Sequence, residues 1–73
     1  MIKHVNELKK LISIATDLEL SEPMRFEALQ QIGEIGTGEA LHALLEIAGN
    51  EKLSNKERDT ALKKARDILR SNR

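Results

Sequence analysis

Apolar residues recur at helical spacing in four segments of the chain, with turn-forming residues between the segments. In the first segment, about residues 5–18, they fall three or four positions apart and so share one face of a helix. The members of this predicted stripe are Val5, Leu8, Leu11, Ile12, Ala15 and Leu18. The run Ser21-Glu22-Pro23 predicts the next helix start, because Ser21 can cap free N–H groups and Pro23 loses no hydrogen bond in a first turn.

The second predicted helix runs to about residue 35, and the third runs from there to about residue 48. Gly36 can adopt the left-handed conformation that ends the second helix, and Thr37 can cap the third. The stripe of the second helix is Ala28, Leu29, Ile32 and Ile35. The stripe of the third is Leu41, Leu44, Leu45 and Ala48, with Ile47 at its edge.

The fourth segment follows a natural stop at Gly49-Asn50 and opens with capping-box spacing. In Ser54-Asn55-Lys56-Glu57, Ser54 is the cap and Glu57 can reach back to the N–H of the cap residue. The predicted helix runs to about residue 70 on Ala61, Leu62, Ala65, Ile68 and Leu69. Strand-like alternation is missing, so the pattern predicts an all-α fold of four antiparallel helices.

The chain also matches itself when it is shifted by 33 residues. The shift gives ten identities over residues 8–35 without a gap, mostly on the apolar stripes. The pairs are Leu8/Leu41, Leu11/Leu44, Ile14/Ile47, Ala15/Ala48, Leu20/Leu53, Ser21/Ser54, Arg25/Arg58, Ala28/Ala61, Leu29/Leu62 and Ile35/Ile68. A period of about 20–50 residues that contains two helices is typical of an α-solenoid. A chance match between Leu- and Ala-rich helices is the alternative.

The centre of the chain resembles a known family. The run Arg25-x-x-Ala28-Leu29-x-x-Ile32-Gly33-x-Ile35-Gly36, followed by Glu39-Ala40-Leu41-x-x-Leu44-Leu45, is similar to HEAT-like repeats of the short, phycobilisome-lyase type. The resemblance implies a single domain of two helical hairpins, unit one at about residues 1–35 and unit two at about residues 36–73. Such repeats occur in scaffolds, enzyme subunits and regulators alike, so the resemblance favours a fold more than a function.

Both ends of the chain depart from that pattern. Ala65-Arg66 stands where unit one has Ile32-Gly33, and His4-Val5-Asn6 stands where unit two has Thr37-Gly38-Glu39. We expect both ends to be caps and expect no third unit after Arg73. A helix pair buries a broad face only when another pair stacks on it, so the outer face of one or both units is expected to stay apolar. Nothing identifies a chromophore site, so lyase activity is not carried over.

Composition narrows the classes of function. The 73 residues allow one small domain, and twelve Lys and Arg balance twelve Asp and Glu, which argues against a polycation that coats nucleic acid. Cysteine is absent, and with Phe26 as the single aromatic residue there is no stacking platform for bases. Apolar stretches are far shorter than the ~20 residues that cross a bilayer, and no signal peptide follows Lys3. We expect a cytoplasmic protein that does not bind membranes.

Two features are candidates for partner contacts. Phe26 aligns with Asp59 in the repeat and so lies off the shared stripe, where it either fills a gap in a small core or contacts a partner or a second copy of the chain. Charge is uneven: residues 17–51 hold eight acids and one base, and residues 54–73 hold seven bases and three acids. Solvated helix faces explain this distribution, and so would head-to-tail association of oppositely charged ends. The bases that could contact phosphates instead are Lys63, Lys64, Arg66 and Arg70.

Catalytic constellations are thin. Glu39, His42 and Glu46 share one face of the third helix, but di-metal helical bundles need a Glu-x-x-His motif twice, so we expect a polar outer face and no metal. Ser21 and Ser54 are expected to be caps and not nucleophiles. The two repeat arginines, Arg25 and Arg58, are expected to be structural and to reach a carbonyl or carboxylate at the turn between the units.

The sequence thus predicts a minimal HEAT-like α-solenoid that binds another protein through a helix face or an exposed end face, without catalysis or cofactor. Phe26 is the expected contact, and Lys63, Lys64, Arg66 and Arg70 add electrostatic steering. Self-association through an uncovered end is a related possibility. Nucleic-acid binding through the basic last helix is the alternative, and a structural fragment or cap of a longer solenoid is a third.

Overall fold

Four α-helices, joined by short turns, make up the fold. The computed structural model describes the backbone of residues 3–71 and the side chains of residues 6–71, and this part holds four helices and no strand. The helices are α1 (Lys3–Ala15), α2 (Glu22–Ile35), α3 (Gly38–Ala48) and α4 (Asn55–Ser71). The predicted all-α class is therefore confirmed for the described residues. The side chains of Val5 and Arg73, which belong to the predictions above, lie outside the described ranges.

Helix α1 ends at Ala15, before the predicted end at residue 18. The Thr16 hydroxyl donates to the Ile12 carbonyl at 2.8 Å, and Asp17 Oδ1 accepts from the Glu19 backbone N–H at 3.0 Å. Such local side-chain bonds compete with the helix and favour a turn. Leu18 consequently lies in the turn, 55% exposed, and its predicted place in the apolar stripe is wrong.

The turn between α2 and α3 forms as the sequence predicts. Gly36 has a φ of 67°, in the left-handed region where a side chain would be strained. The Thr37 hydroxyl accepts a hydrogen bond from the Ala40 backbone N–H at 3.1 Å, which caps α3. These two adjacent residues therefore fix where one helix ends and the next begins.

The other two predicted caps are only partly formed. Ser54 Oγ accepts from the Glu57 backbone N–H at 3.2 Å, but the Glu57 carboxylate does not complete the capping box, because it bonds to Arg25 in the core. Ser21 occupies the N-cap position of α2 with an extended backbone, yet its side chain makes no capping bond to any described residue. Pro23 in the first turn remains the local signal for the start of α2.

A single cluster of leucine, isoleucine and alanine side chains forms the core, and all four helices contribute to it. Helix α1 packs against α2, α3 packs against α4, and α2 also lies against both α3 and α4. The buried members are Leu8, Ala15, Ala28, Leu29, Ile32, Ala40, Ala43, Leu44, Ile47, Leu53, Ala61, Ala65 and Ile68. Because α2 is the helix in contact with all the others, its stripe is the most completely buried.

Three leucines that the sequence places on apolar stripes face solvent. Leu45, Leu62 and Leu69 are 47%, 40% and 53% exposed, so their predicted burial is wrong. The buried face of α3 is instead the i, i+3, i+4, i+7 set that starts at Ala40 and includes Ala43. Both α3 and α4 therefore carry an apolar flank beside the one that they bury.

Candidate interaction surfaces

A buried ion pair joins α2 to α4. Arg25 Nε lies 2.9 Å from Glu57 Oε1, and the two residues are 8% and 0% exposed. The Arg25 guanidinium also donates from Nη1 to the Leu20 carbonyl, while Arg58 Nε donates to the Ala48 carbonyl at 3.0 Å. The expected structural role of both arginines is thus borne out. Their carbonyl partners, however, precede α2 and α4 and do not lie in the turn between the predicted units.

The polar contacts between α2 and α4 pair residues that are about one repeat apart. Ser54 Oγ donates to Glu22 Oε2 at 3.5 Å, and Lys64 Nζ donates to Gln30 Oε1 at 2.8 Å, with sequence separations of 32 and 34. The Arg25–Glu57 pair has a separation of 32. The two helices therefore run in the same direction, in register with the 33-residue shift found in the sequence.

The four candidate bases of α4 are not brought onto one face. Lys63, Arg66 and Arg70 are exposed and follow i, i+3, i+7 spacing, which places them together on the outer side of the helix. Lys64 is turned towards α2. Its Cβ lies 3.4 Å from the position that a Cβ at Gly33 would occupy. Asp67 shares the outer face, with its Oδ1 4.0 Å from Arg70 Nη1. The basic surface is consequently smaller than predicted and includes an acid.

Phe26 lies at the edge of the core. Its side chain is half-buried and packs against the apolar cluster, and Lys56 Nζ lies 5.9 Å from the centroid of its ring. That distance allows a cation–π interaction. Phe26 therefore fills a gap beside the core, as one of its two interpretations expects, and keeps part of its surface accessible for a contact.

An open apolar groove, which the sequence did not reveal, runs along α1 and α2. It consists of two adjoining cavities of about 490 and 430 Å³ that share Leu11, Ile14 and Gln31. We call it the α1–α2 groove and define it by Leu11, Ile14, Met24, Gln31, Glu34 and Ile35. Met24 is 51% exposed and adds a large apolar side chain to this groove. The sequence holds one signal for this groove, because the apolar Met24 occupies the position that is equivalent to the charged Glu57.

Two of the exposed leucines, Leu62 and Leu45, have more deeply buried counterparts 33 residues earlier. Leu62, which is 40% exposed, corresponds to Leu29, which is completely buried. Leu45 corresponds to Ile12, a partly buried residue that lines a cleft together with Ala43 and Ile47 of α3. The same kind of side chain is thus covered in the first half of the chain and exposed in the second.

Residues of the α1–α2 groove are less buried than their counterparts 33 residues later in the chain. Ile14 and Ile35 are only partly buried, whereas their counterparts Ile47 and Ile68 belong to the buried core. Ile47 shares a cleft with Ile12 of α1, and Ile68 shares one with Gly36 at the end of α2. The groove is therefore equivalent in sequence to the surface by which α3 and α4 pack against α1 and α2.

Metal-binding and membrane-spanning features are not found in the described part of the chain. His42 Nε2 lies 3.4 Å from Glu46 Oε2 on an exposed face of α3, and Glu39 does not extend this pair into a cluster. No group of three or more metal-ligating side chains occurs among the described residues. Likewise, no helix within residues 3–71 combines the length and apolar character that crossing a bilayer requires.

No family model, curated protein or solved structure matches this chain. The likeness to HEAT-like repeats therefore rests on the residues of this sequence that carry it.

Proposed function

We propose that this chain is a small HEAT-like repeat protein, without catalytic activity, that binds another protein through an exposed end face. The observation that carries the proposal is the exposure of two apolar surfaces, the α1–α2 groove and the leucines Leu45, Leu62 and Leu69. The counterparts of Leu62 in the first half and of Ile14 and Ile35 in the second half are buried inside the same molecule. Exposed apolar surface with polar residues at its rim is typical of a protein-binding site.

The proposed arrangement is two helical hairpins stacked as consecutive repeat units. Support comes from the groove, where Ile14 near the end of α1 adjoins Met24 and Ala28, and Lys10 nearer its start adjoins Ile35 at the end of α2. Support also comes from the shared direction of α2 and α4. Stacked units of this kind leave one face of each outer unit uncovered, and those faces are the proposed binding surfaces.

The charged residues favour a protein partner over a nucleic acid. Of the four bases considered for phosphate contacts, Lys64 bonds to Gln30 and so contributes to the contact between α2 and α4. The remaining bases, Lys63, Arg66 and Arg70, share their face with Asp67, and the formal net charge of the chain is zero. Three bases at the rim of an apolar surface suit electrostatic steering of a protein partner.

The experiment is a capture assay from native lysate with the tagged chain, read by mass spectrometry. Leu62→Glu alters the exposed leucines and Met24→Lys alters the groove, while Leu18→Glu is the matched control at an exposed leucine in a turn. We expect defined proteins to be retained by the control, to be lost with Leu62→Glu or Met24→Lys, and to survive nuclease treatment. Equal recovery by all variants, or recovery that collapses with nuclease, would contradict the proposal.

A further inference from the structure

We infer that the partner which fits these two surfaces is a second copy of this chain, stacked head to tail so that the exposed leucines of one copy cover the α1–α2 groove of the next. This inference rests on the proposed function and names its partner. It follows from one operation: each contact between the two halves of the chain is shifted by 33 residues, so that it joins two copies.

The shifted apolar contacts pair exposed side chains of both surfaces. Within the chain, Ile12 shares a cleft with Ile47. After the shift, Leu45 of one copy meets Ile14 of the next. In the same way, the cleft that joins Gly36 to Ile68 becomes a contact between Leu69 and Ile35, both of which are at least partly exposed in the single chain. Positions that line the clefts between the two halves of the chain thus have apolar equivalents between copies.

The shifted polar contacts are also complementary. The hydrogen bond from Lys64 to Gln30, 2.8 Å long, becomes a bond from Lys63 of one copy to the side-chain carbonyl of Gln31 in the next. The donor is again a lysine of α4 and the acceptor is again a glutamine of α2, although each stands at the repeat position that the other type holds within the chain. An amide acceptor placed opposite a lysine at the shifted position is what a repeated interface requires.

Charge favours the contact between copies. Within the chain, a small cleft brings Glu34 beside Asp67, with Lys64 as the base in its lining. The shifted cleft contains Lys63, Arg66 and Asp67 from one copy and Gln31 and Glu34 from the next, so a side with two bases and one acid faces a side with one acid. The shift places Arg66 opposite Gln31 and Asp67 opposite Glu34, and the two bases beside Asp67 give their side of the cleft a net positive charge towards Glu34, which favours this partner and this register.

Two contacts are not reproduced. The close approach of Lys64 to Gly33 becomes Arg66 against Gln31, so a side chain stands where the glycine left room. The buried pair of Arg25 and Glu57 becomes Arg58 opposite Met24, so the carboxylate is missing, and Arg58 Nε already donates to Ala48. The contact between copies is therefore weaker than the contact within the chain, and association is reversible. Because the two surfaces differ, the interface is heterologous and does not close on a dimer.

The test is sedimentation of the purified chain and its variants, with circular dichroism to verify that each variant is folded. At concentrations up to about 1 mM, the wild type and Leu18→Glu are expected to increase in mass through the dimer to larger species. Leu62→Glu and Met24→Lys, each alone, are expected to lose at least tenfold in association constant. An equimolar mixture of these two is expected to form a one-to-one heterodimer and stop, since each variant keeps the surface that the other lacks.

Three results would overturn the inference. The first is a wild type that stays monomeric at about 1 mM, a concentration that detects even weak association. The second is a wild type that stops at a dimer, which indicates two identical surfaces in contact. The third is a mixture of Leu62→Glu and Met24→Lys that stays monomeric. If the chain is monomeric and the capture assay still depends on Leu62 and Met24, the inference fails and the proposed function stands.

Discussion

Replacing Arg25 by Met tests whether the buried ion pair holds α2 against α4. Arg25 Nε lies 2.9 Å from Glu57 Oε1, and Glu57 is completely buried. The other carboxylate oxygen, Oε2, has no hydrogen-bond partner among the described residues, so Arg25 supplies the side-chain hydrogen bond that this carboxylate has. Without Arg25 the carboxylate is buried and uncompensated.

The expected cost of Arg25→Met is large compared with the stability of so small a domain. Breaking a buried ion pair by removing one partner costs about 3–5 kcal/mol. A domain of 73 residues unfolds with a free energy of about 4–11 kcal/mol, taking about 0.05–0.15 kcal/mol per residue. Arg25→Met therefore removes about a quarter or more of the stability. Glu57→Leu is expected to cost less, because Arg25 keeps its bond to the Leu20 carbonyl and is slightly accessible to water.

The double variant Arg25→Met/Glu57→Leu separates the ion pair from the packing of its side chains. Replacing both charges by apolar groups of similar size leaves no buried charge and is commonly neutral or stabilising. Urea unfolding followed by far-UV circular dichroism measures all three variants, since the chain has no Trp or Tyr for fluorescence. The reasoning is refuted if Arg25→Met costs less than about 1 kcal/mol, or if the double variant is as unstable as Arg25→Met.

Three further predictions use matched or opposed substitutions. Met24→Glu restores the carboxylate that the contact between copies lacks opposite Arg58, so sedimentation should show tighter association than for Met24→Lys. Gly36→Ala is expected to cost about 1–2 kcal/mol in urea unfolding, because of its φ of 67°, whereas Gly38→Ala, with open space around it, should cost nothing or stabilise. Phe26→Ala should cost about 2 kcal/mol in the same assay, roughly half the about 3–5 kcal/mol of a fully buried phenylalanine.

Local sequence signals predict the helix boundaries well where they depend on backbone chemistry. Gly36 and Thr37 form the expected stop and cap, and Ser54 caps α4. The end of α1 is missed, because the apolar period continues to Leu18 while the polar side chains of Thr16 and Asp17 turn the chain earlier. Periodicity marks the positions that are able to be helical and does not by itself show where a competing turn prevails.

Which flank of a helix is buried depends on its neighbours and is not fixed by spacing. On α3 the larger leucines suggest Leu41 and Leu45, yet the face that is buried carries the small side chains of Ala40 and Ala43. The α1–α2 groove is missed for a related reason. Met24 fits no stripe of its own helix, and its significance depends on comparing its exposure with the burial of Glu57.

The most direct test of the proposed interface is a disulfide between two different single-cysteine chains. Within the chain, a Cβ at Gly33 would lie 3.4 Å from the Cβ of Lys64, close to the ~3.8 Å of disulfides. The shifted positions are Arg66 and Gln31, both exposed, and the chain has no cysteine of its own. Chains with Arg66→Cys and Gln31→Cys, mixed and oxidised, are predicted to form the mixed disulfide well above its random share. A random distribution of the three pairings would contradict head-to-tail stacking.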